Sequence, residues 1–430
     1  MQYSNSIDFE STDKIRQVQQ EALRKHLMYL SDQSPYYQDL FRTEGIDIQS
    51  ISAANLDQIP FTTKTDIEKH NTAFEAINRK SIVEYVTTSG TLGEPISIAL
   101  GQTDLERLAY NESQSLGLCG ITDEDTILIT TTLDKRFMAG MAYYLGATKI
   151  GATVIRSGIG DLHFQLDNLN RYRPTTLIAV PSFAHKLGLF LNTQNIDPAN
   201  CSIKKIICIG EPIRNADLTP NTLHSKLTDL WNCPLFSTYA STEMATAFTE
   251  CEHGNGGHLL PELMIVEVVD DEGKKVEDGD LGEVVATPLG IMGTPLLRYK
   301  TGDMARLYNE PCICGRNTPR LGPIEGRKKH LIKLKGTSVY PQQIENVLHQ
   351  IDGINQYLLE LSHNELDMDD LCIYLAITDD LNIETVSNQL SEQLRVRPQI
   401  TFISDKEMSL KLKAHKSRKP SKLLDLRISN

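Results

Sequence analysis

The sequence has no long hydrophobic run. Its longest apolar stretch, residues 138–147, is about half the length that spans a bilayer, and it contains two glycines and two tyrosines. The first ten residues also lack the basic start and the apolar core of a secretory signal peptide. We therefore expect no membrane-spanning helix and a cytoplasmic location.

The chain also lacks an excess of positive charge and two common catalytic motifs. Its formal net charge is −13, which argues against a general binder of nucleic acids or anionic membranes. No Gly-x-x-x-x-Gly-Lys-Ser/Thr segment is present, which argues against a P-loop ATPase. Neither Ser89 nor Ser241 lies in a Gly-x-Ser-x-Gly elbow, which argues against a serine hydrolase.

Cysteines are few, eight in 430 residues, and a cytoplasmic location predicts that they are reduced. Cys251 and His258 are separated by six residues, and Cys312 and Cys314 lie farther along. Three thiolates and one imidazole suit a closed, structural Zn²⁺ site; free thiols are the alternative, and His253 is an alternative ligand. The other cysteines lie mostly in apolar runs and are predicted to be core residues: Cys119, Cys201, Cys208, Cys233 and Cys372.

The length of 430 residues predicts about two to three domains. The pattern of apolar residues predicts an α/β protein. Spacings of three and four predict an amphipathic helix over residues 13–30. From residue 103 onward, short apolar strands alternate with helical segments. Strands are predicted over 126–129, 153–155, 175–180 and 205–209, and helices over 141–150 and 183–191. This order predicts a mostly parallel sheet flanked by helices, with ligands beyond the carboxyl ends of the strands.

A β-rich part and a small second domain follow. Strands are predicted over 264–269 and 282–287. Pro341 suits the first position of a helix, and the order β-α-β-β-α-β in about one hundred residues predicts a separate α+β domain. We therefore expect a large N-terminal domain over residues 1–327 and a small C-terminal domain over residues 328–430.

One loop stands out as a phosphate-binding candidate. Residues 87–95 read Thr-Thr-Ser-Gly-Thr-Leu-Gly-Glu-Pro between two β-prone runs, which predicts strand, loop, strand. Gly90 allows close approach of the backbone, and Thr88, Ser89 and Thr91 supply donors for phosphate oxygens. An ordinary polar hairpin turn is the alternative.

Two further stretches follow predicted strands. Gly210-Glu211-Pro212 offers a backbone edge for a planar ring, with a strand-ending turn as the alternative. Residues 238–243 supply an aromatic ring that can stack, hydroxyls that can meet a phosphate and a carboxylate that can hold Mg²⁺; a surface loop is the alternative.

Two more stretches lie near the predicted domain boundary. The carboxylate of Asp303, in Tyr299-Lys300-Thr301-Gly302-Asp303, is able to accept both hydroxyls of a ribose, although an Asp after Gly is more often a turn residue. Residues 326–336 are strongly basic and contain apolar residues, which favours a working hinge over a solvated charge run.

Taken in order, these stretches resemble the adenylate-forming acyl-CoA synthetases, and within them the phenylacetate-CoA ligase-like branch. The resemblance covers nearly the whole chain and includes a basic C-terminal segment at residues 417–425. It implies ATP-dependent activation of a carboxylic acid as acyl-AMP, followed by transfer to a thiol. It also implies that the small C-terminal domain is mobile, and members of this branch often have the Cys-His-Cys-Cys set.

The resemblance implies a nucleotide site built from these motifs. Tyr239 would stack on adenine, Glu243 would bind Mg²⁺, and Asp303 would hold the ribose. The residues that would contact ATP or AMP are Thr88, Ser89, Gly90, Thr91, Gly210, Glu211, Pro212, Tyr239, Ala240, Ser241, Thr242, Asp303 and Arg327.

The resemblance also implies catalytic roles in the C-terminal part. Lys419 would bridge the substrate carboxylate and the α-phosphate during adenylation, with Lys422 as an alternative. Lys329 takes the place of the hinge residue, and Lys333 would come forward in the second half-reaction. One position departs from the family, because Glu94 stands where its phosphate loops usually carry Lys. A carboxylate beside a triphosphate is unfavourable, and a catalytically weak nucleotide-binding homologue is therefore one alternative function.

The acid substrate is predicted from position alone. Residues 130–140 correspond to the acyl-pocket wall, with Asp134, Phe137, Ala139 and Gly140 as candidate lining residues. An aryl or arylacetic acid and coenzyme A are the expected substrates. Asp134 is alternatively a partner for a substrate amino group, as in an amino-acid or aminoaryl-acid enzyme that loads a carrier-protein phosphopantetheine, or a surface ion-pairing residue. ATP, Mg²⁺ and a structural Zn²⁺ complete the expected set, and a homodimer is one option.

Overall fold

The computed structural model describes residues 7–88, 96–334, 337–364, 368–378, 381–394, 398–414 and 422–427. They form two compact units. The first comprises the described residues up to Thr88 together with Ile96–Thr301 and Ala305–Pro323; the second comprises Gly302–Met304 and the described residues from Ile324 onward. The division into domains at residues 327 and 328 stays a prediction.

The first unit contains helices α1 to α8 and strands β1 to β13. One of these strands, β12, includes residues Gly302–Met304 of the second unit. The helices are α1 Thr12–Gln33, α2 Pro35–Thr43, α3 Lys64–His70, α4 Gln102–Leu118, α5 Met138–Ile150, α6 Leu162–Tyr172, α7 Pro181–Thr193 and α8 Thr222–Trp231. The strands are β1 Ile82–Thr87, β2 Ser97–Gly101, β3 Thr126–Ile129, β4 Thr153–Arg156, β5 Thr176–Ala179, β6 Lys205–Ile209, β7 Leu235–Ser241, β8 Thr246–Glu250, β9 Gly257–His258, β10 Met264–Val269, β11 Leu281–Pro288, β12 Tyr299–Tyr308 and β13 Arg320–Leu321.

A large sheet has the strand order β10-β11-β12-β13-β9-β8-β7-β6-β5-β3-β4. Strands β4, β3, β5, β6 and β7 are parallel neighbours, and the pairs β7–β8, β8–β9 and β9–β13 are antiparallel. All five parallel strands therefore end at the same edge of the sheet. The prediction of a mostly parallel α/β sheet is confirmed for this part of the chain.

Both faces of the parallel strands are covered, because successive side chains point to opposite faces. One face packs in a cluster that contains Leu128, Ile206, Cys208, Leu187, Leu227 and Trp231. The other face packs in a cluster that contains Ile127, Ile129, Ile207, Ile209, Tyr143 and Ala147. After a polar first residue, strands β3, β5 and β6 are apolar and buried at every position, which explains why these strands could be predicted from the sequence.

Helix α4 is not among the helices predicted from the sequence. Its buried face is largely polar and includes Asp104, Arg107, Asn111, Glu112 and Ser115. Because those buried side chains are polar, apolar residues do not recur at helical spacing in this part of the sequence, and the helix is not apparent from hydrophobicity. Gly146 of α5 allows this helix to approach, since a Cβ there would collide with Glu112.

Strands β1 and β2 form an antiparallel two-stranded sheet, with Thr87 opposite Ser97. The predicted order of strand, loop and strand therefore has its two strands. The loop itself, residues 89–95 with Ser89, Gly90 and Thr91, lies outside the described residues, and so does Glu94.

The second unit is an α+β structure. Its elements are β14 Gly326–Arg327, β15 Ile332–Leu334, β16 Thr337–Val339, α9 Pro341–Leu348, β17 Ile354–His363, β18 Asp369–Ile377, α10 Ile383–Leu394, β19 Gln399–Phe402, α11 Asp405–Ala414 and β20 Leu423–Asp425. Strand β14 pairs with β12, β15 pairs with β16, and one sheet has the order β19-β18-β17-β20.

Two features of this unit depart from the prediction. The first strand of the predicted β-α-β-β-α-β order lies before Tyr340, in the separate hairpin of β15 and β16, so it does not enter the four-stranded sheet. One edge of that sheet is formed instead by β20, which pairs in parallel with β17 and comes from the basic C-terminal stretch. No helix of the described residues has both the length and the apolarity to cross a membrane.

Candidate active site

The carboxyl edge of the parallel strands gathers two of the predicted nucleotide motifs. Ile209, the last residue of β6, is the register partner of Thr238 in β7. Gly210 therefore lies beside Tyr239, and its φ of +75° is a conformation that glycine adopts without strain. Ligands of open α/β sheets bind at this edge.

Residues 210–212 are held by hydrogen bonds to the starts of two helices, α7 and α8. The Glu211 carboxylate accepts from the Ser182 backbone N–H at 2.9 Å and from the Ser182 hydroxyl at 2.8 Å. The Pro212 carbonyl accepts from Asn221 Nδ2 at 3.0 Å. Glu211 thus holds the first turn of α7, which places it in a supporting role beside the edge. Ser182 was not predicted, because only the fold brings it there.

The aromatic and hydroxyl residues of the second motif lie at the end of β7. The half-buried Tyr239 ring stacks against Phe248 with centroids 6.0 Å apart and an interplanar angle of 26°. Ala240 is exposed. Ser241 begins a tight turn, in which its Oγ accepts from the Met244 N–H at 3.3 Å.

Glu243 lies in the same turn, next to the half-buried Thr242. The Tyr299 hydroxyl donates to Glu243 Oε1 at 3.1 Å, and Tyr299 is itself buried. This contact orients the carboxylate that was predicted to bind Mg²⁺. Tyr299 was named as part of a motif 56 residues away, but its contact with Glu243 was not predicted.

Arg107 of α4 supports the same turn from beneath. It is fully buried, and it donates to Thr246 Oγ1 at 3.0 Å and, at 2.7 Å, to the carbonyls of Ala245, Leu263 and Leu289. A guanidinium has five N–H donors in a fixed plane, so it can hold several carbonyls at once. The turn that carries Glu243 is therefore attached rigidly to α4.

Glu112, one turn farther along α4, is a buried carboxyl group. Burial raises the pKa of Glu112 to about 8. Asn111 Nδ2 donates to Glu112 Oε1 at 3.1 Å, and the Asn111 side-chain oxygen accepts from the Ala247 N–H at 3.2 Å. The carboxyl group is therefore protonated at neutral pH, in a place the sequence did not mark.

The first residues of the predicted phosphate loop contact the predicted acyl-pocket segment. The Thr87 N–H donates to the Arg136 carbonyl at 3.0 Å, and the Thr88 N–H donates to the Ile96 carbonyl at 3.1 Å. Lys135 and Arg136 both have positive φ, 57° and 59°. Thr88 is buried, and it holds the end of the hairpin next to this sharp bend.

The predicted acyl-pocket residues lie at the start of α5. Asp134 is exposed, and Phe137 and Ala139 are half-buried. Gly140 is buried where a Cβ would collide with the Thr132 carbonyl. The glycine therefore lets the segment before α5 fold tightly against the helix.

The predicted ribose ligand lies in the second unit. Asp303 is inside β12 rather than at a turn, and the preceding Gly302 has a φ of +74°. Arg327 of β14 is its register partner, and Arg327 Nε donates to Asp303 Oδ1 at 3.0 Å. The structure thus brings two predicted nucleotide-binding residues into direct contact.

The predicted hinge is a short 3₁₀ turn, Lys328–His330, in which Lys329 is exposed. Lys333 is also exposed, and its backbone N–H donates to Asp369 Oδ2 at 2.7 Å. The predicted catalytic Lys419 lies outside the described residues. Lys422, the alternative, lies over the Tyr357 ring with its Nζ 4.7 Å from the centroid.

The structure brings the four predicted metal ligands together. The Sγ atoms of Cys251 and Cys312 are 3.8 Å apart, and Cys314 Sγ is 3.5 Å from His258 Nε2. All four ligand atoms lie within 4.8 Å of one another. Tetrahedral Zn²⁺ with Zn–S of about 2.3 Å and Zn–N of about 2.0 Å requires S–S and S–N separations of about 3.8 and 3.5 Å. The donor set therefore fits Zn²⁺; His253 instead contacts Glu252.

Residues around this cluster orient its ligands. His258 Nδ1 is 3.1 Å from Thr318 Oγ1, which leaves Nε2 directed at Cys314. Burial lowers the pKa of His258 to about 3, so the imidazole is neutral as a ligand must be. Arg316 Nη1 donates to Cys314 Sγ at 3.5 Å, while its Nε pairs with Asp8 at 3.3 Å. Sequence spacing identified the four clustered residues but not these supporting groups.

An ion pair joins the metal-ligand loop to the loop after β6. Glu250, directly before Cys251, accepts from Arg214 Nε at 3.0 Å and from Arg214 Nη2 at 3.2 Å. The Arg214 guanidinium also fills the space over Gly254, where any side chain would collide with it. The loop after β6 and the segment that begins the Cys-His-Cys-Cys cluster are therefore connected within the first unit.

The chain resembles known families over most of its length. Residues 8–294 match the family described as AMP-binding enzyme, and residues 336–427 match the one described as AMP-binding enzyme C-terminal domain.

Individual relatives are similar over most of both chains. A phenylacetate-coenzyme A ligase of Thermus thermophilus is 27% identical over 400 residues, which cover 92% of this chain and 88% of that protein. A phenylacetate-coenzyme A ligase of Escherichia coli is 25% identical over 371 residues, covering 83% of this chain and 81% of that protein. A crystal structure of 2-hydroxyisobutyryl-CoA ligase in complex with 2-HIB-AMP has the same fold, with a TM-score of 0.87 at 19% identity over 99% of this chain and 95% of that one.

Proposed function

Because the chain belongs to the AMP-binding enzyme family, we propose that it is an ATP-dependent acid–thiol ligase that makes an acyl-CoA through an acyl-AMP. The resemblance to the phenylacetate-CoA ligase-like branch is confirmed by relatives that are 27% and 25% identical over most of the chain. By analogy with these ligases, the substrate is a small aryl or arylacetic acid. A cytoplasmic location and a homodimer stay predictions.

One observation carries the proposal: the backbone edge at Gly210, the Tyr239 ring and the Glu243 carboxylate lie together at the carboxyl edge of the parallel strands. A flat edge and an aromatic ring suit a purine base. A carboxylate oriented by a tyrosine hydroxyl suits a hydrated cation on a phosphate. These are the requirements of an ATP site.

The chemistry divides into two transfers. A carboxylate is a poor electrophile, because both of its oxygens share the negative charge. In the first step one carboxylate oxygen bonds to the α-phosphorus, and the bond from phosphorus to the pyrophosphate oxygen breaks. In the second step the CoA sulfur bonds to the acyl carbon, and AMP leaves with the electron pair of the acyl–oxygen bond. The protein supplies positioning and charge stabilisation in both steps.

Each motif would serve one of these needs. Glu243 would hold Mg²⁺, and a bound magnesium ion would neutralise charge on the phosphate oxygens. The loop from Thr88 to Thr91 would hold the β- and γ-phosphates, and Asp303 with Arg327 would contact the nucleoside side of ATP. Lys419 would meet the substrate carboxylate and the α-phosphate. Rotation about Lys329 would then admit the CoA thiol.

Cys251, His258, Cys312 and Cys314 would hold a Zn²⁺ ion with a purely structural role. Four protein ligands leave no open coordination position for a substrate or water. The ion would therefore supply folding free energy rather than Lewis-acid catalysis.

The experiment is ATP–pyrophosphate exchange over a panel of carboxylic acids, followed by thioester formation with CoA. Acid-dependent exchange with an aryl or arylacetic acid supports the proposal. Exchange with aminoaryl or amino acids only, without CoA thioester, indicates the carrier-protein alternative. Absence of exchange with every acid, despite measurable ATP binding, indicates a nucleotide-binding homologue.

Variants test the assigned residues within that assay. Glu243→Gln should lower exchange by about tenfold or more, because removal of one charged ligand weakens metal positioning. Glu252→Gln, at a side chain that is 79% exposed, is the matched control and should exchange at the parent rate. Lys419→Ala should lose exchange while Lys422→Ala keeps it; the reverse result would assign the role to Lys422.

A further inference from the structure

Arg427, close to the C-terminal end of the sequence, donates hydrogen bonds to the predicted hinge. It follows β20, and its side chain is only 8% exposed. Its Nη1 donates to the Leu331 carbonyl at 2.9 Å, and its Nη2 donates to the Lys329 carbonyl at 3.2 Å. These carbonyls belong to the 3₁₀ turn and the residue after it, where backbone acceptors need partners from outside the turn. A charged donor satisfies both of them at once.

Two carboxylates hold the guanidinium in place. Asp425 accepts from Arg427 Nε at 3.0 Å and from Nη2 at 2.7 Å, and Asp369 Oδ2 lies 3.0 Å from Nη1. Asp369 also accepts from the Lys333 N–H at 2.7 Å. The guanidinium thus connects the hinge, the start of β18 and the end of β20. The planar guanidinium can make all of these hydrogen bonds at the same time, whereas the ammonium group of a lysine cannot.

The strand before Arg427 is firmly attached to the sheet. Leu423 and Asp425 of β20 are register partners of Leu359 and Leu361 in β17. Only three residues separate Lys419 from β20 in the sequence. In the sequence, the proposed catalytic lysine therefore lies shortly before a paired strand, and Arg427 lies two residues after the end of that strand.

We propose that Arg427 is a positioning residue that locks the predicted hinge turn to the C-terminal sheet, so that the turn and the sheet move together in the rotation proposed about Lys329. The inference rests on the proposed function for its catalytic consequence, while the lock itself is a property of the second unit. Without the lock, the turn loses two charged hydrogen bonds, each of the kind that contributes the most in proteins.

The first test measures the contact between Arg427 and the hinge turn without an activity assay. Hydrogen–deuterium exchange of the full chain should show the amides of residues 328–334 exchanging about ten- to a hundredfold faster in Arg427→Gln, because the charged bonds that hold the turn are gone. The same amides should exchange almost as fast in Arg427→Lys as in Arg427→Gln, since lysine keeps the positive charge but lacks the planar guanidinium with its several donors. Lys411→Gln removes the Lys411–Glu360 pair of the same unit and is the control. Unchanged exchange at the hinge in Arg427→Gln overturns the proposal.

The second test asks whether Arg427 acts through Lys419. Arg427→Gln should lower the kcat of adenylation about tenfold, with the KM for ATP within about twofold of the parent. In the Lys419→Ala background the same substitution should change adenylation less than about twofold, as expected of residues that act as a unit. Equal losses in both backgrounds overturn the positioning role.

Failures of the two proposals are distinguishable. If the parent does not exchange pyrophosphate, the proposed function fails, and hydrogen exchange at the hinge still decides the lock. If Lys419→Ala exchanges at the parent rate while Arg427→Gln does not, the positioning of Lys419 is overturned, although the ligase activity stands.

Discussion

The supporting residue Thr318 offers a sharp test of the metal centre. Thr318 is fully buried, and its Oγ1 lies 3.1 Å from His258 Nδ1, while His258 Nε2 lies 3.5 Å from Cys314 Sγ. Thr318→Val keeps the shape of the side chain and removes the oxygen. All four proposed zinc ligands remain, so any change in metal affinity comes from the orientation of the imidazole.

The expected loss follows from the second hydrogen bond of a ligating histidine. Removal of such a partner typically lowers metal affinity about 10- to 100-fold. At about 1.4 kcal/mol per tenfold, this corresponds to about 1.4 to 2.7 kcal/mol. The buried Nδ1–H has no water to replace the threonine oxygen, because His258 is 1% exposed, so we expect a value toward the upper end.

The assay is zinc competition with a chromophoric chelator at neutral pH, together with metal analysis of the purified protein. The parent should hold one zinc per chain, and Thr318→Val should release it at lower chelator concentration. Thr176→Val is the matched control, because Thr176 is equally buried and contacts Asp125 rather than the cluster. Equal zinc affinity of the parent and Thr318→Val would refute the orienting role, and a parent without zinc would refute the site.

Three other substitutions test the first unit. Tyr299→Phe removes the donor to Glu243 and should lower the rate of pyrophosphate exchange about tenfold, measured as a function of Mg²⁺ concentration. Glu112→Gln should raise the melting temperature at pH 8 far more than at pH 5, in thermal unfolding of both proteins. Gly140→Ala places a Cβ against the Thr132 carbonyl and should cost about 1 to 3 kcal/mol of stability and raise the KM for the acid.

The sign of the Glu112 effect follows from its pKa in the two states. Burial raises the pKa of Glu112 from 4.5 to about 8, so the folded protein binds more protons than the unfolded chain between those pH values. Its contribution to stability is fully present below pH 4.5 and is lost as the pH rises toward 8, by an amount on the order of 3 kcal/mol at pH 7. Gln cannot ionise, and an identical shift at both pH values would contradict this account.

Controls for the other two variants lie close at hand. Tyr308→Phe changes a tyrosine of the same strand at its opposite end, and it should leave the Mg²⁺ dependence unchanged. Gly117→Ala adds a Cβ in α4 where nothing lies within 4 Å, so its stability should equal or exceed that of the parent. A Gly140→Ala protein with parental stability would show that the start of α5 can shift freely.

Sequence patterns predicted the parallel strands well, because their side chains are apolar on both faces. The bounds predicted for β3 and β6 are those of the structure. Helix α4 was missed for the opposite reason: its buried face carries Arg107, Asn111 and Glu112, so hydrophobic periodicity is weak there. Strand β20 was missed because three residues in a basic stretch form a strand only when β17 lies beside them.

The candidate site shows the same division between local and distant information. The clustering of Cys251, His258, Cys312 and Cys314 could be predicted, because three thiols and an imidazole suit a metal ion, while the role of Glu243 stays a prediction. Their partners could not, since Tyr299 reaches Glu243 across 56 residues and Thr318 reaches His258 across 60. Ordinary tyrosines and threonines acquire such roles only through strand pairing, which local patterns do not encode.

The Arg214–Glu250 bridge has a practical consequence for redesign of this enzyme. Because the Arg214 guanidinium fills the space over Gly254, residues 210–214 and 250–254 have to be exchanged together. A graft that imports residues 210–214 from a relative must bring the matching residues 250–254 with it. A chimera that exchanges only one of the two segments would leave the buried Glu250 carboxylate without Arg214, or would place a side chain against the Arg214 guanidinium.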